Sequence, residues 1–336
     1  MAIRARLIAA SILASLTAWA PSARAKEVTL LNASYDVTRE LYRDVNKSFT
    51  AVWQRKTGDA LIINQSHGGS SKQARSVVDG LPADVVTMNQ ALDIDLIAQK
   101  SGAIAPDWAN RLPNHAVPFT STILFVVRKG NPKGIRDWDD LVRPGVVPVI
   151  PNPKTSGNGR YSYLAAWAYA LGKAHGDEAA ARAFVGKLFK AVPVLDAGGR
   201  AATSTFAQRG VGDVLLTFEN EAQLAQAEFP GAGLTVVVPS VSVLAESPVA
   251  VVDRNAAQHG TTAVAGEYLR FLFGPEAQEI GAAHYFRPVD PAVLAKHGDR
   301  FPKLRLVSVA DLGGWAAVQN KHFADGGVFD QLFDAR

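Results

Sequence analysis

The chain has 336 residues, a formal net charge of +4 and no cysteine. Without cysteine it forms no disulfide, binds no metal through thiolate, uses no cysteine nucleophile and carries no lipid on an N-terminal cysteine. Single hydrophobic cores stop growing at about 250–300 residues, so this length favours two lobes over one.

At the start, Arg4 and Arg6 precede an apolar stretch from Leu7 to Ala20, and Ala23-Arg24-Ala25 supplies a cleavage pattern of small residues. Residues 1–25 therefore read as a signal peptide cut after Ala25, too short and wrongly flanked for a membrane anchor. Removing Arg4, Arg6 and Arg24 from the 35 basic residues leaves 32 against 31 acidic ones, a net +1. Such a balance gives no footprint for nucleic acid. No later stretch approaches the ~20 apolar residues of a membrane span. The expectation is an exported, soluble protein of a bacterial periplasm.

Val28-Thr29-Leu30-Leu31 reads as a strand leading to Asn32-Ala33-Ser34-Tyr35-Asp36, with Asp36 as N-cap of a helix from Val37 to Lys56. Leu41, Val45, Phe49 and Val52 give that helix one apolar face, and Gly58 ends it. Leu61-Ile62-Ile63 then leads into Gln65-Ser66-His67-Gly68-Gly69-Ser70-Ser71-Lys72-Gln73. Here the glycines let the backbone bend, and Ser70 with Gln73 reads as a capping box opening the next helix. Asp84 to Met88 is a third strand and Leu92 to Lys100 a third helix. Strands alternating with helices over short joins indicate an α/β fold with parallel sheets.

A passage punctuated by proline, Pro106 to Pro118, precedes the strand Ile123–Val127 and marks the first crossing into a second lobe. Val146 to Ile150 reads as a strand, followed by the polar loop Pro151 to Gly159 and helices over Arg160–Leu171 and Glu178–Lys190. Val194-Leu195-Asp196 precedes Ala197-Gly198-Gly199 and a helix from Arg200 to Gln208. A strand Val214–Phe218, a helix Glu219–Glu228 and a strand Leu234–Val238 follow. Val249 to Val252 returns the chain to the first lobe, where Ala263–Phe273 and Pro275–His284 are helices and the tail wraps the surface. Lobe I is thus expected over residues 26–117 and 248–336, and lobe II over 118–247.

Four strand-to-helix turns share one design: Ser34-Tyr35-Asp36, Gly69-Ser70-Ser71, Ser156-Gly157-Asn158 and Gly198-Gly199-Arg200. Two come from each lobe, and in open α/β sheets such turns lie outside the carboxyl ends of the strands, where ligands bind. If the lobes face each other, the helix N-termini converge on a cleft suited to a small ionised oxyanion. Taken singly, each turn also reads as an ordinary N-capped helix start.

Longer segments carry a resemblance. Leu31 to Asp36, Gln65 to Ser70, Val127 to Pro132, Asn152 to Gly157, Gly210 to Leu215 and His322 to Gly327 together resemble the periplasmic sulfate- and thiosulfate-binding proteins of ABC importers. The likeness spans nearly the whole mature chain. It implies the type II-like fold of periplasmic binding proteins, two α/β lobes, each a mostly parallel sheet flanked by helices, with the ligand between them. It also implies backbone donors at Asp36, Ser70, Gly157, Asn158 and Gly199, a hydroxyl donor at Ser156, and a membrane-embedded permease as transient partner of a monomer. Sulfate-selective members carry a tryptophan donor where this chain has Phe218, so the likeness leans to the thiosulfate branch.

Arg160 and Arg200 each stand in the first turn after an anion loop, and the expected role is support of loop carbonyls that polarise the amides. Lys72 and Arg39 read as surface charges. His67 is expected to fix its own loop. An enzyme would need a nucleophile or a metal; Ser70 with His67 is the only hydrolase pairing in view, and no G-x-S-x-G, H-E-x-x-H or Walker motif supports catalysis, metal or cofactor. Molybdate and phosphate are the rival anions, phosphate requiring a carboxylate to accept its proton.

Overall fold

The computed structural model describes residues 26–334, so the signal-peptide reading of residues 1–25 lies outside the described residues. The chain opens with β1 (Glu27–Tyr35), a 3-10 turn (Asp36–Thr38), α1 (Arg39–Thr57), β2 (Ala60–Gly68), α2 (Ser70–Val78), β3 (Val85–Thr87) and α3 (Ala91–Ser101). A single turn, α4 (Pro113–Ala116), leads to β4 (Phe119–Ser121), β5 (Ile123–Val127), β6 (Pro148–Val149), α5 (Gly157–Lys173), α6 (Glu178–Lys190) and α7 (Gly199–Ala207). Then come β7 (Val214–Phe218), α8 (Glu219–Glu228), β8 (Thr235–Val237), β9 (Val241–Val243), β10 (Ala245–Ser247) and β11 (Val249–Val251). The last part holds α9 (Asp253–His259), α10 (Thr262–Phe271), α11 (Pro275–Ala283), β12 (Arg287–Pro288), α12 (Pro291–Lys296), β13 (Arg305–Val307), α13 (Gly314–Val318) and α14 (Val328–Asp334).

Two four-stranded sheets form the lobes, ordered β11-β3-β1-β2 and β6-β7-β5-β8. In the first, β1 lies parallel to β2 over nine pairs, from Glu27 with Ala60 to Tyr35 with Gly68, and parallel to β3. In the second, only β6 and β7 are parallel, while β5 runs against both β7 and β8. The expectation of a mostly parallel sheet therefore fails in lobe II. The reason is where each crossing strand enters. Ile123 pairs with Phe218 at the carboxyl end of β7, and Val249 pairs with Thr87 at the carboxyl end of β3. A chain arriving from the cleft must run down the sheet, against strands that run up to it. Between the lobes, β4 pairs antiparallel with β10 and with β12, so both crossings and a third strand form one small sheet.

Burial follows the amphipathic patterns. One face of α1 buries Leu41, Tyr42, Val45, Phe49 and Trp53, with Trp53 rather than Val52 completing it, and Gly58 closes the helix in the left-handed region at φ 80°. No side chain caps α1; the 3-10 turn displaces Asp36 from the cap that the sequence suggested. Likewise Gly69, not Ser70, is the N-cap of α2, and Gln73 bonds to Ser66 Oγ (3.1 Å) instead of reaching back to close a capping box. Val194 to Asp196 joins no sheet; Asp196 contributes a single carbonyl bond to Asn152 N (2.8 Å). The tail is more ordered than surface wrapping implies, since β13 pairs with β9.

At the crossing, Glu219 is fully buried and is gripped by Arg287 of β12 through two bonds, 2.7 and 2.9 Å. Burial raises the carboxyl's pKa and the guanidinium lowers it. Replacing Arg287 by Ala leaves a buried, unpaired carboxyl, and urea unfolding should show a loss of roughly 3–5 kcal/mol. The double variant Glu219→Gln, Arg287→Met should lose clearly less.

Candidate functional site: helix N-termini between the lobes

The carboxyl ends of β1, β2 and β6, with the segment ahead of α7, deliver the predicted turns to one place. Contacts around the glycines fix this. A Cβ on Gly69 would meet the carbonyl oxygens of Thr155 and Ala197 at 2.5 and 2.8 Å, so the lobe I loop lies directly on two lobe II loops. A Cβ on Gly198 would strike the Asp36 carboxylate, and one on Gly199 would meet Asn158 Nδ2 at 2.9 Å and Val37 Cγ1 at 3.0 Å. One on Gly157 would overlap the carboxamide of Asn89. All four turns named from the sequence are thus in mutual contact across the lobe boundary.

Within each helix the first backbone bonds run from Gln73 N to Gly69 O, Arg160 N to Ser156 O and Ala202 N to Gly198 O. The amides that precede these donors, including Ser70, Ser71, Gly157, Asn158 and Gly199, have no partner within their own helix. They carry the positive ends of three helix dipoles into the junction. Ser156 is the N-cap of α5, accepting from Gly159 N at 3.5 Å. Asn158 turns its side chain away, donating to Thr217 Oγ1 (2.9 Å) and accepting from Ser162 Oγ (3.2 Å).

Asp36 works across the boundary. Its Oδ2 accepts from Arg200 N (3.2 Å) in the first turn of α7, so a lobe I carboxylate sits on a lobe II helix start. Burial raises its pKa, opposed first by that backbone bond. Asn220 Nδ2 donates to Val37 O (3.1 Å), a second cross-lobe bond beside it.

The two arginines differ. Arg160 is buried, its Nε donates to Pro153 O (2.9 Å), and its guanidinium lies 5.1 Å from the Phe323 ring centroid. It does brace a loop carbonyl. Arg200 does not; it lies 2.9 Å from Glu40, 3.2 Å from Glu221 and 3.4 Å from Glu228. Three carboxylates around the guanidinium outcompete any loop carbonyl, because charged acceptors bind it more strongly. Glu40 is on α1, so this cluster also spans the lobes.

His67 lies opposite Ser34 in the first sheet; burial, then the nearby Arg39 charge, push its pKa down to about 4. Its Nδ1 has no hydrogen-bond partner among the described residues, so it does not tie its loop through that atom. Ser70 Oγ is engaged by Met88 Sδ (3.6 Å) and Asn89 N (3.3 Å), not by His67, so the hydrolase pairing is not formed. Phe218, 2% exposed, ends β7 with its ring edge-on to Tyr35 (6.2 Å) from lobe I and to Tyr161 (5.8 Å). Lys72 and Arg39 are exposed, as expected.

Two features were missed in the sequence. The turn Met88-Asn89-Gln90, between β3 and α3, has the same strand–polar turn–helix design and touches both Ser70 and Gly157. The tail also reaches the site: Lys154 Nζ donates to Phe323 O (3.0 Å), Ala324 O (3.3 Å) and Asp330 Oδ2 (2.8 Å), pinning the loop ahead of α5.

Two α/β lobes joined by a small crossing sheet, with helix starts facing each other, have the architecture of a two-lobed binder of small solutes. The model of the bacterial extracellular solute-binding protein family matches residues 30–287. A thiosulfate-binding protein of Pseudomonas aeruginosa is 56% identical over 329 residues, 98% of each chain. A sulfate-binding protein of Escherichia coli is 52% identical over 314 residues, 93% of this chain and 95% of the relative. The solved sulfate-binding protein SubI from Mycobacterium tuberculosis superposes with a TM-score of 0.79 at 35% identity, covering 87% of this chain and 98% of that one. The chain belongs to the sulfate- and thiosulfate-binding proteins within the bacterial extracellular solute-binding family.

Glu221 in the Arg200 cluster has its pKa raised by burial to about 7, from 4.5. The folded state therefore holds more protons than the unfolded state between those values, and stability falls as pH rises from 4.5 to 7. Glu221→Gln removes this dependence, so its melting temperature should gain on the parent's between about pH 5 and 8. A gap that stays constant over that window would mean that Glu221 is ionised throughout.

Proposed function

We propose that this protein is the periplasmic binding component of an ABC importer, which captures sulfate or thiosulfate between its lobes and passes it to a membrane permease. The observation that carries the reading is the meeting of the α2, α5 and α7 N-termini, with amides outside their own helices' bonding. A doubly charged tetrahedral anion presents lone pairs on all sides, and backbone amides with a hydroxyl can meet them without a counter-charge. The amides of Asp36, Ser70, Gly157, Asn158 and Gly199 and the Ser156 hydroxyl are the donors. Arg160 supports the second loop from behind, and the Arg200 cluster links the lobes.

The lobes divide at residues 26–117 with 248–336 and at 118–247, a division supported by the pairing of β4 with β10 where the chain crosses twice. Residues 1–25 act as the signal peptide, cut after Ala25. The protein works as a monomer by binding alone, with no catalytic step.

Phe218 sets the preference between the two anions. Phenylalanine has no donor, and a sulfate oxygen facing it would be left unpaired in a site closed to water, at a cost of roughly 1.5–3 kcal/mol. The terminal sulfur of thiosulfate accepts hydrogen bonds weakly and suits an aromatic wall. Calorimetry with sulfate, thiosulfate, molybdate and phosphate tests the reading. The parent should bind thiosulfate at least as well as sulfate, and both better than the other two. Phe218→Trp should shift the ratio towards sulfate. Ser156→Ala should weaken both anions about tenfold to a hundredfold. Tight binding of phosphate or molybdate alone would overturn the assignment, and an unchanged ratio in Phe218→Trp would reduce Phe218 to packing.

A further inference from the structure

The turn between β3 and α3 places Asn89 where none of the four predicted turns lies. Asn89 is 3% exposed, and its backbone N–H donates to Ser70 Oγ at 3.3 Å, fixing it against the start of α2 in lobe I. Its carboxamide lies over Gly157, the first residue of α5 in lobe II, so closely that a Cβ there would overlap all three atoms of the amide group. Yet Oδ1 is buried with no hydrogen-bond partner among the described residues. A buried polar atom without a partner is unfavourable by about 1–3 kcal/mol, and native proteins keep few of them. This one is aimed at the junction where the amides of Gly157 and Asn158 emerge.

A carboxamide is two-faced: half a turn about its last torsion exchanges an acceptor oxygen for an N–H donor at nearly the same place. We propose that Asn89 is an additional anion-binding residue, its Nδ2–H donating to an oxygen of the tetrahedral anion at the start of α5. The inference rests on the functional reading above and deepens it. Phe218 offers no donor on the β7 side of the site, so Asn89 supplies a side-chain donor from lobe I instead. It binds oxygen rather than sulfur, and so orients thiosulfate with an oxygen on Gly157 and the sulfur free to face the Phe218 ring. The same backbone N–H bond, with the Ser70 hydroxyl donating to Met88 Sδ (3.6 Å), holds the start of α2 against this turn.

The test is calorimetry of the parent, Asn89→Ala and Asn89→Asp with sodium sulfate and sodium thiosulfate, with ligand-free melting curves for each. Asn89→Asp keeps the shape and size of the side chain but replaces the donor by a negative charge. Asn89→Ala should lose about tenfold to a hundredfold in affinity for both anions, the range of one hydrogen bond to a charged group. Asn89→Asp should lose more than Asn89→Ala while melting within a few degrees of the parent. If both variants bind within about threefold of the parent, or if Asn89→Asp binds better than Asn89→Ala, Asn89 does not touch the anion and this inference is overturned alone. If the parent itself binds neither anion, the functional reading falls and takes the inference with it.

Discussion

Helix N-termini repel one another. Each carries about half a positive charge, and packing several into one junction is unfavourable unless negative charge is brought to it. The start of α2 nevertheless lies through Gly69 on Thr155 and Ala197, just ahead of α5 and α7, and the α5 and α7 starts meet through Asn158 and Gly199. Asp36 brings one carboxylate, placed on the start of α7, and its burial is sustained by the Arg200 amide. The Arg200 guanidinium, which would add a further positive charge, is surrounded by Glu40, Glu221 and Glu228. The positive field of the junction thus comes from backbone dipoles and from Arg160, whose guanidinium braces Pro153 O behind the start of α5, rather than from Arg200. Such a field suits an anion that must be released again, since it avoids a direct ion pair.

The crossing sheet sets how the two halves meet. Both strands that enter a lobe from the cleft, β5 and β11, run against the strands beside them. This leaves the carboxyl ends of β1, β2, β3 and β7 pointing at the boundary, which is where their helices begin. The Glu219–Arg287 pair anchors the crossing on one side, while the Arg200–Glu40 pair joins α7 to α1 near the anion turns. Opening the lobes would therefore part Arg200 from Glu40 and Asp36 from Arg200 N, whereas the β4–β10 pairing has no need to break. Crossing segments that act as hinges commonly behave this way.

The strands and helices of the two main sheets, the two-lobe organisation and the four glycine- and serine-bearing turns were legible in the sequence, because each depends on local pattern. The expected strand at Val194 to Asp196 did not form, and the short strands β4, β9, β10, β12 and β13 were not legible. Phe218 could be singled out only through the family resemblance. Contacts between distant segments were not legible. Asp36 looks like an N-cap for the helix after it, and only the approach of lobe II shows it capping α7 instead. Ser70 and Gln73 have capping-box spacing, but Ser66 offers Gln73 a partner from β2 and Asn89 offers Ser70 another. Arg200 follows its loop just as Arg160 does, yet only Arg200 has three carboxylates within reach. Strand direction in the second sheet could not be read from hydrophobic runs, which look alike whichever way a buried strand runs. Asn89 carries a visible signal, a polar residue between a strand and a helix, the design that the four turns share.

The central claim is that backbone amides from both lobes hold the anion without a side-chain counter-charge. A crystal structure of the protein with thiosulfate tests it most directly. The account predicts a single tetrahedral anion between the lobes, with the amide nitrogens of Asp36, Ser70, Gly157, Asn158 and Gly199 within about 3.2 Å of its outer atoms. No lysine or arginine side chain should touch it. An anion found paired to Arg160 or Arg200, or bound on one lobe alone, would contradict the account.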